Sequence, residues 1–405
     1  MKNSLFNTTN FKEEILKNNI YTFTLTHKDT IFTSNGKDFD LEIAREKAYG
    51  EFYERFLCKN FFEDYFIDNL YEDAKHIKFL NKKLYEIYEI ENLQQEDLID
   101  FNSSSFKILS IPFENNKREI TYFPINLIQN LYASNGMAFH FDKKKALFYA
   151  LFEVMERYVK FYVLKNIYPL VKIHHKYNNE FIQIYDATLE DKYPVMAASF
   201  IKGNKIILTF GSDLDLEKAI NKAYFELFQG RVDLKFAGEI IDDVFQCADS
   251  FNLEKHFISS DGDVHKDIIN GNFKEIKWQF EEKFDYFDEF YIKDYSFKNY
   301  YAFHLIVPSF SEVYPIDDLI YNNKNQGKFY RDFVLKYKNY SKFEIIENFE
   351  TLNQFLDVGK FIGVEFKENL NINEFIQKII NNEYNYEFSN RYLNILKIPK
   401  RTFTQ

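Results

Sequence analysis

Three short stretches of this chain repeat one pattern of charged side chains: Glu51-x-x-Glu54-Arg55, Glu153-x-x-Glu156-Arg157 and Glu226-x-x-Gln229-Gly230-Arg231. Residues at i, i+3 and i+4 share one face of a helix. Glu51, Glu54 and Arg55 therefore project together, and so do Glu153, Glu156 and Arg157. Two carboxylates at that spacing repel unless a cation sits between them. Their neighbours are strongly apolar, and burying unpaired charge there is costly. Hard cations such as Mg²⁺ want oxygen ligands and usually keep company with phosphates. Arginine suits bidentate phosphate contact. The pattern predicts acidic helix faces brought together as a Mg-nucleotide site. The competing reading is a set of exposed i,i+4 ion pairs, each worth about a few tenths of a kcal/mol. Three copies in matched contexts weigh against it.

Those side chains need elements to hold them. Helical patterns run over about 41–66, 143–168 and 216–228; in the first, Ala44, Ala48, Phe52 and Phe56 form one apolar face. Ser34-Asn35-Gly36 and Ser134-Asn135-Gly136 read as turns ahead of the first two helices. Residues 20–33 read as a hairpin or strand pair. Short strands are expected over 103–112 and 121–124, then 181–187 and 193–210 with a Gly-Asn turn at 203–204. Strand signals return at 288–292 and 299–307. From about 341 the pattern is of short helices. The copies are irregularly spaced, so this is no solenoid. It is an α+β chain that reuses one strand–turn–helix unit.

Composition excludes several classes. Phe 47 and Tyr 30 stand against Gly 12 and Pro 7, which argues against disorder and against a Gly-rich phosphate loop. The net charge of −11 shows no basic excess for nucleic acid. Lys143-Lys144-Lys145 reads as a solvated helix start, with a local basic patch as the alternative. Cys58 and Cys247 make neither a disulfide framework nor a Cys-x-x-Cys knuckle, and Cys58 reads as core. His174-His175 reads as a turn or strand edge, and His140 as a loop residue, with ligand contact the lesser alternative. No apolar signal core follows Met1 and no apolar run is long enough to span a membrane, so a cytoplasmic location is expected.

Read together and in order, these stretches resemble the YcaO family of ATP-dependent enzymes that activate peptide amides. The likeness covers about 20–335. It rests on 34–37, 50–66 (GEFYERFLCKNFFEDYF), 132–137, 153–160 (EVMERYVK), 184–187 (IYDA), Pro194-Val195, 225–231, 252–260 and 306–319 (IVPSFSEVYPIDDL). The resemblance implies a YcaO-like fold, with the repeated units around a central cavity, over 1–340. A short helical extension would follow over 341–405. It implies ATP and Mg²⁺ as cofactors, with Glu51, Glu54, Glu153 and Glu156 as metal ligands. Arg55 and Arg157 would order those carboxylates or touch phosphate, and Glu226, Gln229 and Arg231 would complete the nucleotide site. The implied chemistry is cyclodehydration or thioamidation of a peptide or protein backbone. The likeness is to standalone bacterial members, accessory factors for methylthiolation of ribosomal protein S12. It therefore implies S12 or its methylthiotransferase as a partner, no direct nucleic acid, and admits a homodimer.

The chain departs from the family pattern at Lys47, Ala138, Phe141 and Lys145, and no Pro-rich tail precedes Gln405. Two readings follow. Lys47 or Lys145 could replace one Mg²⁺ by supplying positive charge in an amide-activating enzyme. Alternatively Phe141 fills the pocket, and the chain is a pseudoenzyme scaffold that binds a protein or leader peptide.

Overall fold

The computed structural model describes residues 11–17, 20–27, 33–60, 73, 75–77, 82–88, 108–202, 205–228, 257–258, 266–269, 272–313, 341, 343–344 and 347. Three strands open the described chain: β1 (Phe11–Lys17), β2 (Tyr21–His27) and β3 (Thr33–Asp38). Helix α1 (Leu41–Leu57) follows, then β4 (Lys75–Ile77), β5 (Ile108–Asn115), β6 (Ile120–Pro124) and β7 (Met137–His140). After helix α2 (Lys143–Lys165) come β8 (Val171–Ile173), β9 (Ile182–Asp186), β10 (Val195–Lys202) and β11 (Lys205–Ser212). Helix α3 (Leu216–Glu226) precedes β12 (Phe257–Ile258), β13 (Phe273–Lys274), β14 (Tyr291–Asp294) and β15 (Tyr301–Ile306). They form three sheets, ordered β1-β2-β3, β12-β11-β10-β9-β8-β13 and β4-β5-β14-β15-β7, with β6 on β5. Among the described strands, only the β13–β8 pair is parallel.

Helix α1 packs on β2 and β3, α3 on β10 and β11, and α2 between β7, β15 and β11. The middle sheet is covered on both faces. Tyr185, Ala197, Leu208 and Phe210 pack with α2, and Ile184, Met196, Ala198 and Ile207 pack with α3. Successive strand side chains point to opposite faces, which is why 195–198 and 206–208 are continuous apolar runs rather than alternating ones.

Two glycines bring strand and helix backbones together. A Cβ on Gly36 of β3 would lie 1.9 Å from the Ala44 carbonyl oxygen and 2.5 Å from the Ala48 nitrogen. A Cβ on Gly211 of β11 would lie 2.5 Å from the Ala219 oxygen and 2.4 Å from the Ala223 nitrogen. The surrounding bonds match as well. Ser34 Oγ donates to the Ala48 carbonyl at 2.8 Å, and Thr209 Oγ1 to the Ala223 carbonyl at 2.7 Å. Lys47 Nζ donates to the Lys37 carbonyl and pairs with Asp38; Lys222 Nζ donates to the Ser212 carbonyl and pairs with Asp213. Asp40 and Asp215 accept from the first-turn N–H groups of α1 and α3, caps worth about 1 kcal/mol each. The β7–α2 unit keeps the cap, at Asp142, but has Ala138 where the others have glycine.

Two sequence expectations change here. Ser34-Asn35-Gly36 is not a turn; it lies inside β3, and Gly36 serves close approach rather than an unusual dihedral. Ser134-Asn135-Gly136 is the turn, with Gly136 at φ 79°. The first helix stops at Leu57 rather than near 66, because Lys59 turns into the left-handed region at φ 66°. The second stops at Lys165, with Ile167 at φ 50°. The Gly-Asn turn at 203–204 and nearly all of 341–405 lie outside the described residues.

Gly36→Ala should destabilise the protein by on the order of 3 kcal/mol, since backbone must move to admit the methyl. Gly50→Ala, whose Cβ would meet only the Phe139 ring at 4.0 Å, should be neutral or stabilising by up to about 1 kcal/mol. Urea midpoints of the two variants check this; equal midpoints would refute the close-approach account.

Candidate functional site

The repeated helices bring their glutamates into one row. Glu51 Oε2 accepts the Asn35 N–H of β3 at 2.8 Å. Arg55 lies between carboxylates of its own helix, with Nη2 3.8 Å from Glu51 and Nε 3.6 Å from Glu54. On α2, Arg157 Nη2 lies 3.9 Å from Glu153, and Glu156 Oε2 accepts the Ser212 N–H of β11 at 3.2 Å. Glu226 of α3 pairs with Lys37, two residues along β3 from Asn35, at 2.8 Å.

The electrostatics give the order along the row. Burial holds the Glu54 carboxyl well above the usual carboxylate range; Arg55 opposes this, and Glu153 and Glu51 push it further up. Burial likewise pushes Glu156 up to about 7, with Glu226 adding to the rise, Arg157 and Lys222 opposing it, and Glu153 adding to it. Glu54 thus feels the helix on one side and Glu156 the helix on the other. Burial lowers the Arg55 guanidinium, but Glu54, Glu51 and Glu153 more than offset that against Arg157 and hold it charged.

The three units interlock in a circuit. The strand position just after Gly36, Ala138 and Gly211 is Lys37, Phe139 and Ser212. Lys37 of β3 reaches Glu226 on α3. Ser212 of β11 reaches Glu156 on α2. The Phe139 ring of β7 lies 5.2 Å from Tyr53 on α1, between Glu51 and Glu54 in sequence. Each strand therefore touches the helix of a different unit.

Gln229 and Arg231 lie outside the described residues; the other predicted site residues fall on this row. The two proposed stand-in cations are placed elsewhere. Lys47 is tied to Asp38, and Lys145 is exposed in the first turn of α2. Phe141 is 54% exposed and packs edge-to-face against Phe139, Tyr300 and Tyr53, so it is no buried plug. Cys58 is buried, its Sγ 3.7 Å from the Phe303 carbonyl oxygen, and burial pushes the thiol well up. His174 and His175 line a separate surface hollow of about 610 Å³ with Lys176 and Phe273.

Sequence reading passed over Lys37, Ser212 and His304. The His304 imidazole bonds the Asn135 carbonyl through Nε2 at 3.1 Å, and burial pushes it down to about 4, so it is neutral. A lysine directly after the close-approach glycine was the one available signal for Lys37.

The donor set suits Mg²⁺ and nucleotide. The row offers oxygen ligands, and its two innermost carboxyls, Glu54 and Glu156, are short of positive charge. Asn135 Oδ1 and Ser212 Oγ are buried polar atoms without a hydrogen-bond partner. Among the described residues, though, no three His, Cys, Asp or Glu side chains gather closely enough to hold one ion.

A family model described as YcaO cyclodehydratase, ATP- and Mg²⁺-binding, matches residues 35–311. The chain belongs to the YcaO family. An uncharacterized protein of Haemophilus influenzae is 28% identical over 83% of this chain and 68% of its own length. The ribosomal protein S12 methylthiotransferase accessory factor YcaO of Escherichia coli K12 is 28% identical over 75% of this chain and 61% of its own length. This YcaO chain therefore spans about two thirds of the curated relatives it matches. Among solved structures, YcaO from Methanopyrus kandleri bound with AMPPCP and Mg²⁺ is 13% identical, with a TM-score of 0.47 over 74% of this chain and 85% of that one. Among the described residues, no helix is long and apolar enough to cross a membrane.

The row makes stability depend on pH. Glu156 binds its proton more tightly folded, at about 7, than at the ordinary 4.5. That contribution is fully present below about 4.5 and is lost as pH rises through about 7. The metal-free protein should therefore melt at progressively lower temperature across that window. Glu156→Gln should flatten part of the decline. A variant whose melting temperature falls as steeply as the parent's would remove Glu156 as the source. Glu54, held well above the usual range, and Glu312, pushed up to about 7 by burial, contribute further slope with the same sign.

Proposed function

We propose that this chain binds Mg-ATP along the glutamate row and activates a backbone amide of a peptide or protein. The observation that carries the reading is the pair Glu54 and Glu156, half-buried on α1 and α2 beside carboxylates of the neighbouring helices, where burial and like charge push both carboxyls up. A divalent cation would relieve that repulsion. Mg-ATP, when bound, supplies the phosphoryl group that converts an amide oxygen into a leaving group.

The chain's own residues do the rest. Glu51, Glu54, Glu153 and Glu156 hold the metal. Arg55 and Arg157 keep those carboxylates oriented and neutralise phosphate charge, the main protein task in phosphoryl transfer. Ser212 Oγ and Asn135 Oδ1 are buried polar atoms without a hydrogen-bond partner, which nucleotide or ordered water would satisfy. Glu226, with Gln229 and Arg231, completes the nucleotide side. The name of the Escherichia coli relative makes ribosomal protein S12 or its methylthiotransferase the first partner to try.

Calorimetric titration with Mg-ATP tests the reading. The parent should bind, and Glu153→Ala and Glu156→Ala should each weaken binding by at least about tenfold, or 1.4 kcal/mol. Absence of heat and of thermal stabilisation at saturating nucleotide would overturn it. If the two variants also kept partner binding, the scaffold reading would take its place.

A further inference from the structure

Lys37 occupies a place where neither of the other two repeats has a cation. Its counterparts in the other units are the apolar Phe139 and the neutral Ser212. Its backbone is pinned on both sides. Gly36 is pressed against the α1 backbone, and the Lys37 carbonyl accepts from Lys47 Nζ at 3.0 Å. From that fixed base the side chain, only 8% exposed, crosses to α3 and meets Glu226 Oε1 at 2.8 Å. Glu226 is one-third exposed and close enough to Glu156 to push its carboxyl up. An ammonium held there by a rigid strand does for this carboxylate what a divalent ion does for one that has no lysine.

We propose that Lys37 is a resident cation beside Glu226, so that Glu226 takes no divalent ion when nucleotide binds. The inference rests on the Mg-ATP reading above and sharpens it: the metal belongs to the α1–α2 part of the row, and the α3 carboxylate is neutralised by the protein itself. Lys37 acts through Glu226 and is a positioning residue.

The test counts metal ions. Mn²⁺ bound per chain is measured by electron paramagnetic resonance of free Mn²⁺, with the full-length protein saturated in AMPPCP. Lys37→Met should bind one more Mn²⁺ per chain than the parent, because Glu226 is released to take an ion. Lys37→Met combined with Glu226→Gln should return to the parent count. Glu226→Gln alone should leave the count unchanged at saturation, and it decides the matter if Lys37→Met does not fold. An unchanged count in Lys37→Met, or a count lower by one in Glu226→Gln, overturns the role of Lys37 while leaving Mg-ATP binding intact. Failure of the parent to bind AMPPCP overturns both proposals together.

Discussion

The site depends on how closely a strand can approach a helix. At Gly36 and Gly211 the strand backbone meets helix backbone atoms at a separation that leaves no room for a Cβ. That approach lets Ser34 and Thr209 bond to helix carbonyls, and it places Lys37 and Ser212 one residue further along, at the height where the helix glutamates emerge. The glutamates lie one turn beyond the contact, at Glu51 after Ala48 and at Glu226 after Ala223. A looser packing would carry the strand's polar groups away from the carboxylates they now reach.

Once packed this way, the helices generate an electrostatic problem. Carboxylates from α1, α2 and α3 are lined up with arginines interleaved, and the arginines do not fully balance them. Desolvation dominates both innermost carboxyls, and like charges on the neighbouring helix add to it. A low-dielectric row of this kind has a small set of ways to relax: take up protons, take up metal, or carry its own cation. Glu156 shows the first, Lys37 supplies the third, and the proposed nucleotide site uses the second.

Much of this was legible in the residues. The i, i+3, i+4 spacing of Glu and Arg requires a shared helix face whatever the fold. The apolar series Ala44, Ala48, Phe52, Phe56 requires that the opposite face be buried, and all four are. The aspartates before each helix are local capping signals that depend on nothing distant. The tripeptide Ser-Asn-Gly misled for an equally physical reason. Glycine is chosen both for positive φ and for close approach, and local sequence does not separate the two. Gly136 is the first case and Gly36 the second. Helix ends were misplaced because the patterns around 58–66 and 165–168 continue past Lys59 and Ile167, whose left-handed backbone ends the helices.

The sequence by itself determined the repeated unit, its acidic faces and the YcaO family, because periodicity, caps and ordered motifs are properties of neighbours along the chain. Only the tertiary structure decided which glutamate faces which cation. Lys37 and Glu226 are far apart along the chain and belong to different units, so their contact is a product of the circuit in which each strand reaches another unit's helix. The same holds for the shared charge of Glu54 and Glu153. Coulomb interaction and desolvation act through space, and a linear pattern does not record where the fold will close that distance.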